Sequence, residues 1–132
     1  MSGMIYIPFN KWSKEKIKAG VKTATSRYKK YGEAGDRFVV DGEIFELVEV
    51  VKIKLGIVAE LHYKEEGAKS PEEFKKIWID IHPKRGFRAD DMVWFHRFRK
   101  VEVADFTNFI NFTYKGGDEQ WMRGLRRNCD KS

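Results

Sequence analysis

The sequence predicts a small α+β domain, a bent barrel-like β-sheet of mixed or mostly antiparallel strands with two or three flanking helices. Three observations lead there. Asp41-Gly42 lies between two β-rich runs, residues 37–40 and a long one from 43 to about 55. Both central positions of a type I′ hairpin turn need positive φ, which Asp-Gly supplies. The long run carries Phe45, Leu47, Val48, Val50, Val51 and Ile53, alternating in parts and apolar on both faces elsewhere, as a bent barrel strand would be. Finally, Ser70-Pro71-Glu72-Glu73 places serine at an N-cap, proline at N1 and glutamate at N3, a capping box. Phe74, Ile77, Trp78 and Ile81 follow with the i, i+3, i+4, i+7 spacing of a core-facing helix.

The other elements follow in order. Residues 4–9 (MIYIPF) are a short apolar run broken by Pro8, suited to an entry or edge strand. A helix is expected next, with Ser13 near its N-cap and Trp12, Ile17 and Val21 at helical spacing. Gly20 suits the position just past its end, where positive φ closes a helix. Residues 23–27 then read as a strand with Thr23, Thr25 and Arg27 on one face and Ala24 and Ser26 on the other. Lys22 joins Thr25 only if the chain bends near Gly20. Residues 28–36 carry two glycines and no periodicity, so they form a loop.

Gly56 is expected to mark the end of the long strand, and residues 57–66 read as a short helix closed by Gly67. His82-Pro83 stops the capped helix. After a basic loop at 84–91, residues 92–98 (MVWFHRF) form an aromatic-rich strand that can continue through Val101 and Val103. Beyond about 105 the pattern weakens. Phe106, Phe109, Ile110 and Phe112 make one more helical turn or cover a sheet edge, Gly116-Gly117 is a break, and 121–127 is a short basic amphipathic piece. The expected organisation is one domain over 1–105 and an extension over 106–132 packed on it or trailing from it.

At 132 residues the chain can bury a real core. No apolar run approaches the roughly 18–20 residues of a membrane span, residues 1–9 lack the pattern of a signal peptide, and Cys129 is the single cysteine. These features predict a cytoplasmic protein with no membrane partner. The net charge of +6 and pI near 9.4 favour polyanions or nucleotides, although an ordinary lysine-rich surface fits them equally. Ten Phe, five Tyr and four Trp leave some rings free to stack on a base.

No metal or other cofactor is expected. His62, His82 and His96 are scattered and read as structural or surface residues. Cys129 lies in a polar tail, and no Gly-Lys-Ser/Thr follows Gly32 and Gly35 to make a phosphate loop. That leaves Lys22, Thr25 and Arg27, which converge if the helix-to-strand corner bends; read without context, they are a strand threonine between two solvated cations.

Four stretches change that reading. They are Gly20 to Arg27 (GVKTATSR), Gly35-Asp36 before a strand, Glu66-Gly67 before a helix, and Trp94-Phe95-His96-Arg97-Phe98 in the late strand. In their residues and order the chain resembles the ASCH family, a branch of the PUA-like β-barrel superfamily, over about residues 5–104. The resemblance implies a PUA-like barrel. ASCH-like domains are proposed RNA binders, and some small members are amidohydrolases acting on N4-acetylcytidine. In those, a lysine and a threonine of the first motif work with the later glutamate, which here correspond to Lys22, Thr25 and Glu66, with Glu65 adjacent. The chain departs from the pattern at Ala24, where a larger hydrophobic residue is usual, and in everything after about 105.

So implied, Thr25 is a nucleophile and Lys22 its base, which must be neutral to act. Burial or Arg27 would lower the lysine pKa, whereas Glu66 beside it would raise it. Glu66 either pairs with Arg27, freeing Lys22, or handles the leaving group or a water. The alternative is a non-catalytic RNA-binding module, or an RNA-cleaving variant. There Lys22, Arg27, Lys29 and Lys30 contact phosphate while Tyr28 or Tyr31 stacks on a base. The expected partner is thus a modified nucleoside or RNA.

Overall fold

The computed structural model of the protein describes residues 3–102. The expectations for Val103, the 106–112 turn, Gly116-Gly117, the 121–127 piece and Cys129 lie outside the described residues.

The elements are α1 (Lys11–Lys18), β1 (Ala24–Arg27), β2 (Arg37–Val40), β3 (Glu43–Lys54), α2 (Leu55–Leu61), α3 (Pro71–Ile81) and β4 (Met92–Lys100). The strands form one antiparallel sheet in the order β1-β4-β3-β2, curled into a half-barrel. This is the expected α+β class with three flanking helices.

The curl has a local cause. β3 pairs with β4 from Phe45 to Lys54, but the register shifts between Leu47 and Glu49. One extra residue in a strand reverses the face on which its odd-numbered side chains lie and bends it. Phe45 and Leu47 therefore pack with Phe38, Val40 and Phe98, together with Ile7 and Ile17. Past the shift, Val51 and Ile53 pack against the opposite cluster of Ala24, Leu55, Val58, Phe74, Trp78, Val93 and Phe95. The run that was apolar on both faces is this crossover. The Asp41-Gly42 hairpin forms as expected, with φ of 47° and 84°.

Several boundaries differ from the sequence expectation. Residues 4–9 are not a strand: Ile5 N–H donates to Arg37 O and Arg37 N–H to Gly3 O, both at 2.8 Å, and the pairing stops at a single parallel bridge from Met4 to Arg37. Pro8, with no N–H, could not extend it. The N-cap of α1 is Asn10, whose Oδ1 accepts from Ser13 N–H at 2.8 Å. Ser13 is the third helical residue, a donor to the cap. Gly20 (φ 80°) donates to Ile17 O and Val21 to Lys16 O, a Schellman closure, so Val21 lies past the helix and is 48% exposed.

Gly56 sits inside α2 instead of ending a strand. A side chain there would meet the Ala89 Cβ at 2.9 Å, so the glycine permits a close approach of the 84–91 loop. α2 stops at Leu61, and successive turns carry the chain to Gly67. α3 starts as the capping box requires: Ser70 Oγ accepts from Glu73 N–H at 3.0 Å. The return bond from Glu73 Oε1 reaches Lys69 N–H, one residue further out than the usual box. β4 ends at Lys100, before Val101.

Candidate active site

Two backbone devices bring the site residues together. The α1 closure turns the chain so that Lys22 N–H also donates to Lys16 O, at 3.1 Å. Across from it, Glu65 O accepts from both Thr23 N–H (2.7 Å) and Ala24 N–H (2.9 Å), clipping the turn after α2 to the entry of β1. This clip sets Glu66 beside Lys22 and directs Glu65 elsewhere, toward Arg97 and His62. Lys22 Nζ donates to Glu66 Oε1 at 3.2 Å and to Glu66 O at 3.0 Å. Ser26 Oγ donates to Glu66 Oε2 at 2.7 Å. All three side chains are buried. Gly67 keeps φ at 97°, and a side chain on it would press on Lys22 Cβ at 3.2 Å.

Burial pushes the Lys22 pKa down, while the Glu66 charge and hydrogen bond oppose the shift and Arg27 adds to it. The alternative in which Glu66 pairs with Arg27 is not formed. Arg27 instead donates from Nε to Thr25 Oγ1 (3.0 Å) and from Nη2 to Pro8 O (2.6 Å), with its guanidinium 4.9 Å from the Phe9 ring centroid and 5.2 Å from that of Tyr31. Burial also lowers the Arg27 pKa, with Tyr31 opposing.

Thr25 and Arg27 share a face, as the alternation predicts, and Ser26 lies on the other. In register, Thr25 opposes His96 and Ser26 opposes Phe95. Ser26, on the face away from Thr25, is the residue that meets Glu66. Among the described residues the hydrogen bonds thus join Lys22 and Ser26 to Glu66, and Thr25 to Arg27. Among the described residues β1 is an edge strand, and Thr25, Ser26 and Arg27 on it line the cleft.

That cleft encloses about 410 Å³. Lys22, Glu66 and Ser26 are its buried floor. Phe9, Trp12, Tyr28, Tyr31, Phe74 and Trp78 supply aromatic walls, and exposed Lys29 stands at the mouth. Its size and lining suit a small planar ligand. Of the expected binding residues, Arg27, Tyr28 and Lys29 line it. Lys30 does not: it pairs with Glu33 and lies over Trp94. Tyr28 is braced by its hydroxyl, which donates to Asp91 Oδ2 at 2.8 Å, and by Arg85 over its ring.

The histidines divide. His96 is fully buried; its Nε2 accepts from Tyr31 N–H at 3.1 Å and its Nδ1 reaches Thr25 O at 3.2 Å. Those partners require the neutral Nδ1–H tautomer, in keeping with a pKa held down by burial. It is structural, pinning the 28–31 loop to β1. His82 instead lines the cleft beside Trp78 and Tyr28. Sequence reasoning missed it, Ser26, and the helix stripe of Phe74, Ile77, Trp78 and Ile81, which serves both the core and the cleft wall. The only signal was the stripe's width. Among the described residues no three His, Cys, Asp or Glu side chains gather as a metal site would need, and no helix is long and apolar enough to cross a membrane.

Neither a family model nor a curated protein matches the sequence. Solved structures do match the architecture. The ASCH domain from Lactobacillus crispatus JV V101 superposes with a TM-score of 0.54 at 19% identity, covering 74% of this chain and 78% of that one. The fold is ASCH-like. A hypothetical protein, PH0355, superposes at 0.56 and 17% identity over 76% of this chain and all (100%) of that one. At such identities the likeness is one of fold. In the ASCH-like frame, the 20–27 segment is the corner between α1 and the edge strand, and it supplies four of the cleft's polar side chains.

Proposed function

We propose that the protein is a small amidohydrolase acting on an acylated nucleoside such as N4-acetylcytidine, with Thr25 as nucleophile, Lys22 as base and Glu66 assisting. The observation that carries this reading is the buried Lys22–Glu66 pair on the floor of an aromatic-walled cleft. Buried ion pairs are a poor source of stability, and strongly perturbed groups in clefts cluster where proton transfer is needed.

The aromatic walls would hold the planar base with its exocyclic amide toward the floor. Thr25 and Lys22 both line the cleft that β1 borders, so a substrate seated there can meet both. The Thr25 hydroxyl attacks the amide carbonyl as its proton passes to Lys22, which acts as a base once deprotonated, a state that its burial makes easier to reach. Arg27 Nε, already donating to Thr25 Oγ1, stabilises negative charge on that oxygen. The C–N bond then breaks, and the proton on Lys22 goes to the leaving amine. Water then attacks the acyl-threonine as Glu66 takes its proton; the ester C–O bond to Thr25 breaks, the carboxylic acid departs and that proton returns to Thr25 Oγ1.

The test is incubation with N4-acetylcytidine and detection of cytidine and acetate. Thr25→Ala is expected to abolish release while leaving the thermal transition in place; Thr25→Ser retains part of it. No release by the wild-type protein overturns the reading, as does full activity in Thr25→Ala. A binding-only reading is favoured by the +6 charge alone, and it requires RNA affinity that falls steeply with salt.

A further inference from the structure

The cleft is charge-balanced at its floor and unbalanced at its mouth. Glu66 is the only carboxylate among its described lining residues, and Lys22 neutralises it. Arg27 and Lys29 line the same cleft, and neither has a carboxylate partner among the described residues. Both lie against one ring, 5.2 Å and 5.3 Å from the centroid of Tyr31. Three cations close by do have carboxylate partners: Lys30 pairs with Glu33, Arg85 with Asp91 and Arg97 with Glu65.

The two cations are also complementary in kind. Arg27 is partly buried and fixed by Thr25 Oγ1 and Pro8 O, so its fork is pre-organised at little entropic cost. Lys29 is exposed and can swing onto a ligand. A fixed guanidinium beside a mobile ammonium is suited to a phosphate, which accepts charge-assisted bonds from both. Neutralising Arg27 would also offset the burial that disfavours its charge.

We infer that the cleft takes an anionic substrate: the 5′-phosphate ester of an acylated nucleoside, with the phosphate at Lys29 and at the Nη side of Arg27, whose Nε stays on Thr25 Oγ1. In such a molecule the acylated amine lies at one end and the phosphate at the other. That order matches a proton-transfer floor and a cationic mouth. The inference rests on the amidohydrolase reading for the reacting amide alone; the anion site stands on charge and geometry.

Binding and turnover, measured separately on the full chain, test it. Cytidine 5′-monophosphate should bind roughly tenfold more tightly than cytidine at low salt, a preference that shrinks as salt screens the contact. Inorganic phosphate should compete with the nucleotide and not with the nucleoside. Lys29→Ala, at an exposed position, should lower the nucleotide-to-nucleoside affinity ratio several-fold. Equal affinity for the two compounds, or no binding of either, overturns the inference. So does a single-stranded oligoribonucleotide that binds far more tightly than the mononucleotide with a many-ion salt slope, because the mouth would then serve a polymer. Turnover of N4-acetylcytidine without a nucleotide preference removes the anion site and leaves the hydrolase. A clear preference without turnover of either acetylated compound does the reverse.

Discussion

Glu65 and Glu66 are neighbours in the chain, both held in ion pairs, and their surroundings could hardly differ more. Glu65 meets Arg97 and His62, each at 2.7 Å, with its side chain 31% exposed, and Arg97 is shared with Glu49. Glu66 meets Lys22 with both side chains almost wholly buried, at 5% and 6%. The first pair keeps contact with water and fastens the turn after α2 to β4 at low cost and for little gain. The second has given up the hydration of two charges, a loss that close geometry rarely repays in stability. A fold that needed only fastening at this corner had the Glu65 solution one residue away.

The contrast is tested most severely by Lys22→Met. Removing the amine leaves the Glu66 carboxylate buried with Ser26 as its remaining side-chain donor, so the variant should lose about 3–5 kcal/mol in denaturant unfolding and all turnover. Adding Glu66→Gln should restore much of the stability and none of the activity. A single variant as stable as wild type would show that the buried pair is no costlier to break than the exposed one.

Next in size is the pH dependence of turnover. A base acts when deprotonated, so activity should rise with pH. Burial lowers the Lys22 pKa, which puts the rising limb below the usual lysine value of about 10.4. Activity that is flat, or falls across that range, removes Lys22 as the base. Stability should respond in a different window. His96 is buried neutral with a lowered pKa, so below about pH 6.5 the unfolded chain binds a proton that the folded one does not, and stability falls with pH. His82, lowered by burial and by Arg27 and Arg85, adds the same sign, so His96→Gln should reduce the slope without abolishing it.

The smallest effect belongs to the exposed partner. Glu65→Gln should cost less than about 1 kcal/mol and change turnover less than twofold, because its backbone carbonyl, which makes the clip to β1, is untouched. A loss comparable with that of Lys22→Met would collapse the distinction between the two carboxylates.

Local chemistry made much of the fold legible. The Asp41-Gly42 turn and the Ser70 cap are set by residues within a few positions of each other, and both form where expected. The expected cap near Ser13 is Asn10 in the structure; both residue types cap helices, and only the bond from Ser13 N–H distinguishes them. The β3 face reversal was visible only as broken alternation, since a register shift depends on the partner strand. In the site, alternation placed Thr25 with Arg27 and Ser26 opposite them. It could not disclose that Glu66, 40 residues on from Ser26, completes the Ser26 face. The choice between Glu65 and Glu66 turns on one carbonyl accepting two N–H groups, which no side-chain pattern encodes.

The position of β1 has a consequence for how the site is lost. This strand is four residues long and, among the described residues, lies at the sheet edge and pairs only with β4, yet Thr25, Ser26 and Arg27 ride on it and Lys22 leads into it. Short edge elements open in partial unfolding events at a fraction of the global free energy. Detaching β1 would dismantle the whole polar constellation at once while the β2–β3–β4 sheet persists. Inactivation on mild heating should therefore precede loss of tertiary structure. Amide exchange at Ala24 and its neighbours would report the fraction of molecules with an assembled site.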